Sequence, residues 1–337
     1  MTAGEHATIA CVGAGRMGRG IAHCFAYAGH DVRLIDGKVR ADEAFSRLAE
    51  EALAEVRGTL ATLADLGGFD AALIEPILAR VSVHPLAEAA AALKGVRYVF
   101  EAVPETREAK AEALGLIDRL AGPDAIVCST TSTHLSTELA ALSGRPARFL
   151  NAHWLNPAFL VPLVELSPTP DTDPAAVAEV KALLEAIGKV PVECAASPGY
   201  IVPRIQMLAM NEAARLVEEG VATAAEVDKA VKYGFGFRFA VLGLLEFIDW
   251  GGGDILYYAS RYMTGATGES RFAAPAVIEA NMAEGRNGLR DGQGFFDYAG
   301  MDLAAYRRAR LGGFLRMLQE AGLALPPAAA ASSGEGG

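Results

Sequence analysis

Residues Gly13-Ala14-Gly15-Arg16-Met17-Gly18 stand between a β-branched run, Thr8–Val12, and an amphipathic stretch, Gly18–Ala28. That placement constrains the fold more than any other feature. A strand that turns tightly on glycine and enters a helix is the opening of a βαβ unit built to hold a dinucleotide. Gly13 permits the turn, Gly15 lets the backbone approach a pyrophosphate, and Gly18 lets helix and strand pack closely. The helix start, with Arg16 and Met17, then offers free N–H groups and the positive end of the dipole to the phosphates. A second β-branched run ends on Asp36, 18 residues past Gly18. Its carboxylate can accept hydrogen bonds from both adenine-ribose hydroxyls and repels a 2′-phosphate, so the cofactor expected is NAD and not NADP. Arg33 and Arg40 argue the other way, but Arg33 falls inside the strand and Arg40 opens the next segment.

Short β-branched runs alternate with Ala/Leu/Glu-rich runs through about residue 195, with candidate strands at Thr8–Val12, Val32–Asp36, Tyr98–Glu101, Ile126–Ser129, Phe149–His153 and Val190–Val192. This alternation predicts a parallel sheet covered by helices. Residues 38–80 depart from it and read as an inserted helical hairpin broken at Gly67-Gly68. After the breaker Ser197-Pro198-Gly199 the texture turns helical. Pro203 sits in the first turn of a long helix, where proline is tolerated, and Thr223-Ala-Ala-Glu226 has the form of a capping box. The expected architecture is α/β: a Rossmann-type NAD-binding domain over 1–196, an all-α domain for substrate and dimerisation over 197–322, and a disordered tail over 323–337.

Hydrophobic residues make up 52% of the 337, enough for two cores, and 30 basic against 41 acidic residues give a net charge of −11. A field of that sign repels nucleic acid and anionic membrane, which leaves a small molecule as the expected partner. No uncharged apolar run reaches the roughly 18 residues of a membrane span, and the start MTAGEHATIACVG lacks a signal-peptide pattern, so a cytoplasmic protein is expected. Cys11, Cys24, Cys128 and Cys194 lie apart in apolar segments with no metal-ligand spacing, and read as buried reduced thiols.

Asn151-Ala-His153-Trp-Leu-Asn156-Pro157 ends a strand in a turn, and Leu163-Val164-Glu165 begins the return. A histidine at a strand end with a carboxylate coming back beside it suits a general base, because the carboxylate orients the ring and stabilises imidazolium. The alternative is a hydrogen-bonded core histidine.

In order along the chain stand GAGRMGRGIA (13–22), FEAVPE (100–105), STTS (129–132), HWLNP (153–157), VEL (164–166), SPGYIVPR (197–204), GFGFRFAVLGLLEFIDWGGGD (234–254) and GLRDGQGFFDY (288–298). In order and spacing the set resembles the L-3-hydroxyacyl-CoA dehydrogenase family over nearly the whole chain. The resemblance implies roles. His153 is similar to the base that takes the hydroxyl proton as hydride leaves for nicotinamide, and Glu165 to its dyad partner. Ser132 is similar to the serine that hydrogen-bonds the reacting oxygen, and Asn156 to the turn asparagine that arranges substrate and dyad. Glu105 and Lys110 resemble residues lining the cofactor side of the cleft. By analogy with the family, the second domain pairs two subunits into a homodimer.

Three features depart from the acyl-CoA enzymes. Thr130 stands where many have asparagine beside the nicotinamide, and Pro203 where they have a second asparagine. The hairpin, basic in those enzymes, carries five basic against eight acidic side chains here. Arg238, in Gly236-Phe-Arg-Phe-Ala, looks more like relatives acting on free hydroxy acids, such as L-gulonate and carnitine dehydrogenases. Its guanidinium can hold a carboxylate bidentately, or lie on the surface with its stem on Phe237 and Phe239. The leading expectation is NAD-dependent oxidation of an L-3-hydroxyacyl-CoA such as 3-hydroxybutyryl-CoA. Oxidation of a free 3-hydroxy acid is the alternative, and a non-catalytic, crystallin-like NAD-binding protein the second.

Overall fold

The structure, a computed structural model, describes residues 7–325. Of the predicted tail, residues 326–337 lie outside the described residues. The chain divides into two compact units, one through Ala209 and one from Met210. The division falls inside the long helix that follows the breaker, not at the breaker.

The first unit is an eight-stranded sheet. Its strands are β1 (Thr8–Val12), β2 (Asp31–Ile35), β3 (Val81–His84), β4 (Tyr98–Glu101), β5 (Ile126–Ser129), β6 (Phe149–Trp154), β7 (Leu163–Pro168) and β8 (Val190–Glu193). Their spatial order is β3-β2-β1-β4-β5-β6-β7-β8. The helices are α1 (Arg16–Tyr27), α2 (Asp42–Asp65), α3 (Ile74–Leu78), α4 (Ala89–Leu93), α5 (Arg107–Leu120), α6 (Ser136–Ala140), α7 (Pro174–Ala186) and the start of α8 (Val202–Glu218). Successive residues of a strand point to opposite faces, so β1 feeds two cores. Ile9 and Cys11 join Phe25, Leu34 and Leu60 on one face, while Ala10 and Val12 join Leu93, Leu114 and Ile117 on the other.

One expectation needs correction. The sheet is not wholly parallel: β6 and β7 pair antiparallel, with His153 opposite Glu165. The second arm of the hairpin is short. The break after α2 lies at Leu66–Gly68, with Gly67 at φ 81°. Beyond it stand only a 3₁₀ turn, Ala71–Leu73, and the five-residue α3, which contains Pro76. Cys11, Cys24 and Cys128 are buried as expected, whereas Cys194 is half-buried.

The second unit consists of helices α9 (Ala224–Ala230), α10 (Phe237–Phe239), α11 (Leu244–Gly251), α12 (Gly253–Thr267), α13 (Ala276–Ala283) and α14 (Leu303–Glu320), with a π-helical turn over Val231–Gly236. The Thr223 hydroxyl caps α9 by accepting from the Glu226 N–H at 3.3 Å. Buried Asp249 accepts from the Phe295 and Phe296 N–H groups (3.0 and 2.9 Å) and the Tyr298 hydroxyl (3.1 Å), tying the GQGFFDY segment to α11. Among the described residues no helix is long and apolar enough to cross a membrane.

Candidate active site

The strand order reverses between β1 and β4, and ligands of open α/β sheets bind beyond the strand ends at such a point. There the first unit has a cleft of about 800 Å³. Gly13 turns the chain out of β1 at φ 117°, and a Cβ on it would run into the Ala102 carbonyl at the end of β4. Any other residue would push the two strand ends apart. At Gly15, the N-cap of α1, a Cβ would meet open space. No side chain caps α1 there, and its first turn holds no acid. The helix therefore presents its N–H groups and dipole to an outside anion. Asp36 follows β2 and is 3% exposed. Its Oδ2 accepts from Arg40 Nε at 2.5 Å and its Oδ1 from the Lys38 N–H at 3.2 Å. Arg33 is committed elsewhere, donating to the Ala92 and Lys94 carbonyls. Glycine cradle, uncapped helix and terminal acid all fit NAD.

His153 and Glu165 sit opposite each other on β6 and β7, where facing side chains share one side of the sheet. His153 Nδ1 lies 2.8 Å from Glu165 Oε2. The second carboxylate oxygen, Oε1, accepts from the N–H groups of Ile201 (2.9 Å) and Val202 (2.8 Å), at the first turn of α8. Glu165 is fully buried, so these donors and the imidazole replace the water that its charge gives up. Pro203, second in α8, removes an N–H that needs no partner within the helix. His153 lines the cleft together with Ser132, Thr130 and Asn156.

Ser132 is held by an ionic knot centred on the buried Lys110. Lys110, with no exposed surface, lies 3.2 Å from Glu101 and 3.1 Å from Glu105. The Ser129 hydroxyl donates to Glu101 at 2.5 Å. One oxygen of Glu105 accepts from the N–H groups of Ser132 (3.0 Å) and Thr133 (2.9 Å) and from the hydroxyls of Thr131 and Thr133. Glu105 thus binds the turn that carries Ser132. Burial would raise its pKa, but the Thr131 hydroxyl, Lys110 and Thr133 outweigh burial and hold it at about 2. A carboxyl depressed in the fold adds stability that is complete above its unfolded value and disappears as pH falls toward the folded one. Thermal unfolding should therefore show Tm dropping between roughly pH 4.5 and 2, and this part of the drop should be missing in Glu105→Gln. A Glu105→Gln profile parallel to wild type would remove Glu105 as an anchor.

Thr130 lies at the end of β5 and bonds through its N–H to the Glu101 carbonyl at 2.9 Å. Glu105 lines the cleft, but Lys110 does not: it stands behind the wall, paired with the two glutamates. Arg238, exposed in the second unit, donates from Nε to the Gly234 carbonyl at 2.9 Å and lies 5.0 Å over the Phe247 ring. Sequence reasoning gave no role to Glu101, Asn151 or Tyr200. Glu101 and Tyr200 lie in quoted motifs, yet nothing in their spacing marks a buried acid or a ring laid against His153.

Residues 8–197 match the family model described as 3-hydroxyacyl-CoA dehydrogenase, NAD binding domain, and residues 199–298 that described as 3-hydroxyacyl-CoA dehydrogenase, C-terminal domain. The chain is 32% identical over 290 residues to a probable 3-hydroxybutyryl-CoA dehydrogenase of Bacillus subtilis (strain 168), spanning 86% of this chain and 96% of that protein. Over 208 residues it is 34% identical to a 5-formyl-3-hydroxy-2-methylpyridine 4-carboxylate 5-dehydrogenase of Mesorhizobium japonicum, 61% of this chain and 67% of that one. The crystal structure of a 3-hydroxyacyl-CoA dehydrogenase from Archaeoglobus fulgidus is similar at a TM-score of 0.74 and 31% identity, with 95% of this chain and all of that one covered.

Proposed function

The chain belongs to the 3-hydroxyacyl-CoA dehydrogenase family, and from that membership we propose that it oxidises the 3-hydroxyl of an L-3-hydroxyacyl-CoA, such as 3-hydroxybutyryl-CoA, to a 3-oxo group. Bound NAD supplies the hydride acceptor. The observation that carries the reading is the placement of His153 in the wall of the dinucleotide cleft with Nδ1 committed to Glu165. With the proton on Nδ1, the lone pair of Nε2 is the one that takes the substrate's hydroxyl proton. The resulting imidazolium is then paired at 2.8 Å with a carboxylate that also accepts from two backbone N–H groups. Ser132, on the turn gripped by Glu105, donates to the reacting oxygen as it becomes a carbonyl. The test is NADH formation against a panel of hydroxyacyl-CoA esters and free hydroxy acids. Turnover of 3-hydroxybutyryl-CoA with a higher kcat/KM than any free acid is expected.

A second reading has its own support. Among the described residues Arg238 donates a hydrogen bond only from Nε, which leaves its two terminal nitrogens for a carboxylate. Pro203 and the acid-rich hairpin argue the same way, as does similarity to an enzyme named for a free 4-carboxylate. On this reading Arg238→Ala raises KM for the free acid by about 10- to 100-fold, the worth of a charge-assisted pair, and barely changes KM for a CoA ester. Equal KM values in variant and wild type for the better free acid would discard the clamp.

A further inference from the structure

The geometry points to Tyr200 as a positioning residue for the dyad, holding the plane of the His153 ring and linking it to the turn that carries Ser132. This rests on the reading of His153 as the general base. The Tyr200 and His153 rings stack with centroids 4.9 Å apart and planes within 1°. The Glu165 bond sets the direction in which the imidazole points within its plane, and the stack sets the plane itself. Together they remove the freedom that one hydrogen bond leaves.

The phenol reaches further. Its hydroxyl donates to the Thr131 carbonyl at 2.9 Å and accepts from Asn151 Nδ2 at 3.0 Å, while the same Nδ2 donates to the His134 carbonyl at 3.0 Å. Thr131 immediately precedes Ser132, so one side chain spans both groups proposed to meet the reacting oxygen. Burial pushes the phenol far above its ordinary pKa, and it stays a neutral donor.

The backbone makes the third connection. Tyr200 has φ 45°, the only positive φ of a non-glycine among the described residues. A side chain in that region is strained, and such strain persists where surrounding structure enforces it. Here the bend brings the next two N–H groups, of Ile201 and Val202, onto Glu165. A turn that merely linked β8 to α8 would have no need of a tyrosine in this conformation.

The stack also bears on protonation. The face of a neutral aromatic ring attracts a cation such as the imidazolium that the proposed reaction forms. The other titratable groups near this contact are Glu165 at Nδ1, Cys194, whose thiol is raised by burial and by Glu165, and Glu105 beyond the phenol. Tyr200 supplies the uncharged face.

The test is the pH dependence of kcat, with NAD and with 3-hydroxybutyryl-CoA and L-gulonate as substrate probes, for wild type, Tyr200→Phe and Tyr200→Leu, each checked for NADH binding by fluorescence. Tyr200→Leu should lose about 100-fold in kcat, the scale of a small misplacement, with KM for NAD within about twofold. Its acid limb should move to lower pH, because the imidazolium formed in the reaction loses the aromatic face that attracts it. Tyr200→Phe keeps the ring, so its acid limb should match wild type while kcat falls several-fold through the lost hydroxyl. A Leu variant with wild-type kcat and acid limb would overturn the stacking role. A Phe variant with wild-type kcat would overturn the anchor to Thr131, and this arm holds even if the Leu variant does not bind NADH. Equal losses in both variants with no movement of the acid limb would mean simple packing and would overturn the proposal. His153→Gln, run alongside, separates the two levels: if its kcat stays within about tenfold of wild type, the base itself is misassigned, whatever Tyr200 does.

Discussion

Replacing His153 with glutamine is expected to lower kcat by about 10³-fold, within the range of a lost general base, while NADH still binds with near wild-type affinity. The imidazole sits in the cleft wall on β6, whereas the dinucleotide loop is built from the ends of β1, β2 and β4. Glutamine can keep an N–H directed at Glu165, so the buried carboxylate is not left without its third donor. What glutamine lacks is a lone pair that can take up a proton at neutral pH. The expected pattern is therefore a loss confined to kcat, with thermal unfolding little changed. NADH fluorescence titration and steady-state turnover measure the two halves, and a variant within tenfold of wild-type kcat would remove His153 from the reaction.

Asp36→Ser is expected to change cofactor preference by about 10²- to 10³-fold in kcat/KM, from NAD toward NADP, as charge-assisted bonds to the ribose are lost. Two effects add. Removing the carboxylate takes away the acceptor of the ribose hydroxyls and the charge that repels a 2′-phosphate. It also frees Arg40, whose Nε now lies 2.5 Å from that carboxylate and whose side chain borders the same cleft, with Lys38 beside it. On this expectation the aspartate selects against a 2′-phosphate both by its own charge and by occupying the Arg40 guanidinium. If Asp36→Ser weakened NAD and left NADP no better, Arg40 would not be available as a phosphate receptor. If it changed neither, Asp36 would not read the ribose.

Much of the first unit was legible because its strands are β-branched runs bounded by glycine or proline. Thr8–Val12, Tyr98–Glu101 and Ile126–Ser129 form strands over the residues expected. Val81–His84 gave too weak a signal: four residues at a sheet edge, alternating valine with serine and histidine. The second arm of the hairpin is the five-residue α3, which Pro76 keeps short. For the site, the pairing of His153 with Glu165 could be anticipated because a turn and a return strand are local in sequence. The position of Lys110 could not. A lysine at the fourth position of a helix looks solvent-facing until Glu101 and Glu105 are seen to enclose it. Tyr200 was hidden for a different reason. No propensity favours a tyrosine at positive φ, and what holds it there is contact with Asn151 and Thr131, dozens of residues earlier.

The antiparallel pairing of β6 with β7 has one more consequence. His153 and Glu165 meet because they are register partners, and side chains alternate faces at every residue. A slip of one residue would send either the imidazole or the carboxylate through to the opposite layer, with nearly as many backbone hydrogen bonds formed. The glycine turn and Asp36 belong to the β1, β2 and β4 half, so NADH fluorescence is expected to return during refolding even in molecules whose β6–β7 pairing is misaligned. With His153 as the proposed base, recovered turnover is expected to count only the chains in which this one hairpin has closed in phase, so that catalysis would report strand alignment.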